Sequence, residues 1–185
     1  MVKKYLLVIA IMVSGILSCC TDIEPHWNID DFTITFIDDN GLLVNQNATN
    51  SDSLSIFLNL QNSFLSNVWI EHPFINSAYA LSCEPGGHDG IKDKLSTITF
   101  SSNQDFNNIE AGENLNDLII SNHYDGSTTI EELIENLNDS FGAYFELMFK
   151  LTEKPTNNIS HRFTIIMDFE SGKSISTTSN EITWN

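Results

Sequence analysis

Apolar and polar residues alternate along several short stretches of this chain. In "DFTITFID", Phe32, Ile34 and Phe36 share one face while Thr33 and Thr35 take the other. A repeat of two is that of a half-buried strand, because successive side chains point to opposite faces. "SLSIFLNL" repeats it with Leu54, Ile56, Leu58 and Leu60. "KLSTITF" sets Ser96, Ile98 and Phe100 against Leu95, Thr97 and Thr99. "AYFELMFKL" aligns Phe145, Leu147, Phe149 and Leu151, and "HRFTIIMDF" aligns Phe163, Ile165, Met167 and Phe169. "ESGK" then turns the chain into a last strand, "SISTTSNEITW", with Ile182 and Trp184, so the final two strands predict a hairpin. "DDNG" at 38–41 is a turn signal.

One stretch has a different period. In "STTIEELIENLND", Ile130, Leu133, Ile134 and Leu137 form the i, i+3, i+4, i+7 stripe of an amphipathic helix. Thr128 with Glu131 three residues later is read as its capping box. "ENLNDLIIS" before it reads as a second, shorter helical turn, whereas "FINSAYALS" fits helix or extended chain and "CEPGGHDG" a loop. The expected fold is mainly β: an immunoglobulin-like β-sandwich with one or two short helical insertions, α+β being the alternative.

The first residues read as an address. Lys3 and Lys4 precede an apolar run from Tyr5 to Ser18, too short for a spanning helix, which needs about 20 residues. This is the shape of a secretory signal. "GILSCC" closes it, and small residues followed by Cys are the pattern of a bacterial lipoprotein signal. The position before the lipidated Cys favours a small side chain. Ser18 before Cys19 suits that better than Cys19 before Cys20, so lipidation is assigned to Cys19. The expected organisation is a signal peptide at 1–18, a lipidated tether at 19–30 in which Trp27 is exposed, and one β-sandwich domain at 31–185. Cys20 and Cys83 then remain, an even number in an exported chain, and a Cys20–Cys83 disulfide is a candidate.

Removing residues 1–18 takes away two of the 8 basic residues and none of the 25 acidic ones, so the rest carries 6 basic against 25 acidic, a formal charge of −19. Nucleic acid is excluded as a partner, since binding it relies on Lys and Arg neutralising phosphates.

No catalytic pattern is complete. Gly172-Lys173-Ser174 resembles the end of a phosphate loop, but Met167 stands where the loop needs its first Gly, and a β-branched strand follows instead of a helix. "SNHYDGSTTIEE" has Gly126 and Glu132 at calcium-loop positions six and twelve, but Ser121 and His123 replace the early oxygen-rich ligands. "DDNG" offers oxygens to calcium but reads first as a turn. The five histidines show no metal spacing, and there is no HExxH, CxxC or GxSxG. The sequence therefore predicts no enzyme, no metal and no cofactor. Trp69 and Trp184 are expected in the core.

The Cys pair, "AYALSCEP", "LSTITFSSNQDFN", "AGENLND", "LTEKPT" and "FTIIMDFESGKSISTTSNEITW" together resemble a family of small Bacteroidota lipoproteins of unknown function. The resemblance spans most of the chain after the signal. It implies an outer membrane lipoprotein, at the cell surface or periplasm-facing, and implies no activity. In that group acidic residues after the lipidated Cys cue surface export, and Asp22 and Glu24 are a sparse version of this. The group also glycosylates secreted proteins at Asp-Ser/Thr motifs, and Asp52-Ser53-Leu54 resembles one, making Ser53 a candidate O-glycosylation site. The functional expectation is a non-catalytic module that binds a glycan or protein partner and meets the membrane through its lipid anchor. The alternative is a structural or assembly component of an envelope complex.

Overall fold

A computed structural model describes residues 26–44, 48–65, 87, 89–123, 126–140, 142–156 and 160–184. Eleven strands and one α-helix follow one another among them. A six-stranded sheet has the order β4 (Gly90–Ile91), β1 (His26–Ile37), β3 (Leu54–Phe64), β8 (Glu146–Leu151), β6 (Ile119–His123), β7 (Gly126–Thr128). A three-stranded sheet has the order β10 (Ser174–Thr178), β9 (Phe163–Phe169), β5 (Leu95–Ser102). A short pair joins β11 (Thr183–Trp184) to β2 (Ala48–Thr49). The chain is mainly β, as its alternation predicts, and its sheets curl into a half-barrel.

The apolar faces turn inward. Leu54, Ile56, Leu58 and Leu60 of β3 are buried together with Phe163, Ile165, Met167 and Phe169 of β9. Phe100 and Phe149 meet edge-on across the core at 5.0 Å, a favoured aromatic geometry. Truncating a fully buried Phe such as Phe100 to Ala would cost about 3–5 kcal/mol.

Two β-bulges change the reading of the strands. β1 begins at His26, so the last five residues assigned to the tether belong to the sheet; Trp27, expected to be exposed, is fully buried, as is Ile29. The shift between Ile29 and Asp31 adds one residue to β1, and the inward series becomes 27, 29, 32, 36. A bulge breaks strict alternation in this way. The same happens between Leu95 and Thr97 in β5, where Leu95 joins Ile98 and Phe100 inside and Ser96 is exposed.

Phe145 is a further correction. It precedes β8 and is 62% exposed, while Leu147, Phe149 and Leu151 are buried as expected. The β9–β10 hairpin forms, but the final predicted strand is divided. Ser174–Thr178 pairs with β9, and Thr183–Trp184 crosses to pair with β2.

The helix α1 (Ile130–Asn138) buries Ile130, Leu133 and Leu137 against β5, β4 and β6. Its capping box lies one residue later than expected. The Thr129 hydroxyl accepts from the Glu132 N–H, and the Glu132 carboxylate accepts from the Thr129 N–H. The expected second helical turn is a 3-10 turn at Asn116–Leu118. Where the end of α1 lies on β4, Gly90 has φ +88°, and a Cβ there would stand 2.7 Å from the Ser140 carbonyl. Only glycine fits that approach.

Candidate functional site

The loops at the far end of β1 from His26 form the most built surface among the described residues. After Ile37 the chain reverses in a tight, hydrogen-bonded turn. The Asp38 N–H donates to the Leu42 carbonyl at 2.9 Å, and Ile37 bridges Leu43. Asp38 fixes the reversal through Oδ1, which accepts from the N–H groups of Asn40 and Leu42 at 2.9 and 2.8 Å. An Asp side chain bonding to backbone two residues ahead is a common turn device. Gly41, at φ +77°, supplies the left-handed position. The "DDNG" stretch is thus a turn whose first carboxylate already serves its own backbone.

A second set of bonds fastens this turn to the chain entering β3. The Asp39 N–H donates to the hydroxyl of buried Ser51, and the Ser53 hydroxyl donates to the Asp39 carboxylate. Those bonds from Ser53 hold the Asp39 carboxyl below the usual carboxylate range. Asp52 beside them pairs with Lys154 at 2.5 Å. The candidate glycosylation residue Ser53 therefore sits at the rim of this surface with its hydroxyl engaged. A sugar attached there would displace the bond to Asp39.

Between the two segments lies a cavity of about 990 Å³, lined by residues that include Asp38, Asp39, Leu42, Leu43, Thr49 and Asp52. Leu42 is 64% exposed and Leu43 52%, adjacent in sequence and on the hydrogen-bonded turn. The sequence signal for them was the apolar pair directly after "DDNG", at a place where polar residues are the norm.

Behind the site, β2 pairs with β11 and so places Trp184 in an aromatic box with Phe106, His161 and Phe163. His161 is fully buried and hydrogen-bonded through Nδ1 to Ser102 Oγ at 3.0 Å. Burial pushes its pKa down from the ordinary imidazole value. A Ser–His pair inside an aromatic core is a structural contact, since a nucleophile must reach its substrate.

The other expected positions do not gather here. Cys19, Cys20, Cys83, His72, His88 and Trp69 lie outside the described residues, and His26 stands at the opposite end of β1. Of the stretch that resembled a calcium loop, residues 121–123 and 126–128 pair as β6 and β7 and residues 130–132 begin α1, with Glu132 engaged in the cap. Gly172-Lys173-Ser174 forms the β9–β10 turn. Among the described residues, no group of three or more His, Cys, Asp or Glu is placed to hold a metal ion. Comparison with protein-family models, with curated proteins and with solved structures finds no match.

Proposed function

We propose that the protein is a non-catalytic binding module of the cell envelope. It is held at the outer membrane by a lipid on Cys19 and presents its Asp38–Val44 turn to a glycan or protein partner. The observation that carries this reading is the polarity of β1. Its 12 residues run from His26 to Ile37, which at about 3.3 Å per residue separates the two ends by roughly 36 Å. The tether joins at one end and the exposed leucines and their cavity stand at the other. An anchored domain built this way displays its loop end away from the membrane. The immunoglobulin-like sandwich enters the proposal as the mode of display, with strands as scaffold and end loops as the contact surface. A glycan on Ser53 would stand at the margin of that surface.

Assembly through strand edges is the lesser reading, because two edges that would serve it are engaged. Asn116 and Asn138 bond to the backbone of β5. Thr177 and Lys173 donate to the carbonyls of Phe32 and Ile29 on β1. Unpaired edges are what recruit further strands.

The test is a glycan array probed with the intact chain, run beside a panel of glycosides, peptides and esters. Binding that a Leu42→Ser change removes, with circular dichroism unaltered, supports the proposal. Turnover of any substrate, lost on changing a single Asp, Glu, His or Ser, overturns it.

A further inference from the structure

Asn40 and Gly41 form the one Asn-Gly pair in the chain. The backbone nitrogen that follows an asparagine can attack that residue's own carboxamide and close a five-membered ring. A side chain on the following residue crowds this approach, and glycine has none. Three observations favour the reaction here. Both residues are exposed. A Cβ built on Gly41 would meet no heavy atom within 4 Å, so the space beside its nitrogen is open. Asn40 is held to Asp38 Oδ1 through its backbone N–H, which leaves its carboxamide without a hydrogen bond among the described residues.

We infer that Asn40 is a self-modification site, at which the folded chain converts asparagine to an isoaspartyl or aspartyl residue with water as the co-reactant. The Gly41 nitrogen gives up its proton and bonds to Asn40 Cγ. The bond from Cγ to Nδ2 breaks, and Nδ2 leaves as ammonia with that proton. Water then opens the cyclic imide, its hydroxyl going to a carbonyl carbon and its hydrogen to the Gly41 nitrogen. Opening at Cγ leaves an aspartyl residue. Opening at the backbone carbonyl carbon of residue 40 leaves an isoaspartyl residue, whose main chain runs through Cβ and Cγ. Neither step transfers electrons to or from another molecule. The turn sets the pace of ring closure. The Gly41 N–H donates to the Asp38 carbonyl at 3.0 Å, and Asp38 Oδ1 accepts from the N–H groups of Asn40 and Leu42. The nitrogen must leave the Asp38 carbonyl before it meets Cγ, so Asp38 is the brake. Once formed, the isoaspartyl link lengthens the turn by one backbone atom and sets a new carboxylate beside Asp39. The bonds from Gly41 and Leu42 to Asp38 depend on the four-residue spacing of a β-turn and are lost together.

The test ages the intact chain in mildly alkaline solution, which favours loss of the Gly41 proton, beside a sample in urea. Peptide mass mapping locates the mass gain of amide replaced by acid, and an isoaspartyl methyltransferase labels the rearranged product. Position 40 should convert ahead of every other asparagine in the folded chain. Asp38→Ala should convert about five-fold faster, the factor that corresponds to the net worth of one hydrogen bond. In the converted fraction the Leu42 amide should lose its protection from hydrogen exchange. Asn40→Gln, whose ring would need six members, should lose the label while keeping the Leu42 protection. A folded chain in which position 40 stays intact while the urea sample converts overturns the inference, as does another asparagine leading in the folded chain. An unchanged rate in Asp38→Ala overturns the role given to the turn, and full Leu42 protection after conversion overturns the consequence. The reaction needs no partner, so its failure leaves the binding-module reading standing.

Discussion

The Asn138 carboxamide closes both backbone groups of Leu95. The Leu95 N–H donates to Oδ1 at 2.9 Å, and Nδ2 donates to the Leu95 carbonyl at 2.9 Å. Asn116 does the same two turns of the pleat further along β5, accepting from the Phe100 N–H at 3.0 Å and donating to the Ile98 carbonyl at 2.8 Å. A strand edge left open would present unpaired donors and acceptors. Here two side-chain amides, from the end of α1 and from the 3-10 turn, occupy the places of a neighbouring strand. The half-barrel is therefore closed on this side by these two amides together with an isolated backbone bridge, in which the N–H groups of Leu115 and Gly112 donate to the carbonyls of Phe100 and Ser102.

Asn138→Asp tests that closure. The substitution keeps the acceptor for the Leu95 N–H but turns a second acceptor toward the Leu95 carbonyl. A partly buried carbonyl without its donor costs about 1–3 kcal/mol. The urea midpoint should fall accordingly, and Asn116→Asp should behave alike. A midpoint within error of the unchanged chain for both would show that the seam contributes nothing to stability.

The same seam shows what the sequence displayed and what it did not. β3 and β9 alternate without interruption, so Leu54 to Leu60 and Phe163 to Phe169 were legible as core. β1 and β5 each carry a bulge, and an added residue breaks the phase that a period-two reading depends on. That is why Trp27 and Ile29 were assigned to the tether and Leu95 to the wrong face. The helix was legible from its stripe, but Thr128 and Thr129 are adjacent possibilities for one cap, and only the hydrogen bonds choose Thr129. At the candidate site, "DDNG" announced the turn. The staple from Ser53 back to Asp39 spans 14 residues and leaves no local pattern.

That staple can be read by titration. Ser53 donates through its hydroxyl and its N–H to Asp39, and both bonds favour the ionised carboxylate. Ser53→Ala removes the larger cause, so the Asp39 carboxyl should rise toward 3.8, its ordinary value. The sign for stability follows. A carboxyl depressed in the folded chain lends its contribution above the unfolded value and loses it as pH falls through the folded one. NMR of the Asp39 side-chain carboxyl as a function of pH measures this. An unmoved titration in Ser53→Ala would show that the hydroxyl bond does not hold the loop in solution.

The proposed anchor makes a separate prediction. Cys19→Ala should leave the precursor unprocessed and unlipidated, a change visible in intact mass. An N-terminus at Cys20 would instead place the lipid one residue on. If Cys20 and Cys83 are paired, the exported protein should release two titratable thiols only on reduction. Two thiols present before reduction would eliminate the bond.

His161 makes the domain sensitive to mild acid. It is fully buried between Phe106, Phe163 and Trp184, and burial lowers its pKa from 6.5 because desolvation penalises the imidazolium. On acidification the unfolded chain therefore binds a proton at this residue before the folded chain does. Stability gains nothing from His161 above about pH 6.5, and falls between that pH and the lowered folded value. This sign is set by desolvation of a cation, and it acts at higher pH than the Asp39 effect. The box it holds includes Trp184 of β11, and β11 is the partner of β2 at the loop cavity. Acid should thus loosen the Ala48–Asp52 side of the site before the rest of the barrel. Urea unfolding of the intact chain between pH 5 and 7.5 should show stability declining below about pH 6.5. In His161→Gln, which keeps a polar group for Ser102 Oγ and cannot charge, the slope in that window should shrink at a lower overall stability. An identical slope in both proteins would assign the acid sensitivity to the carboxylates instead.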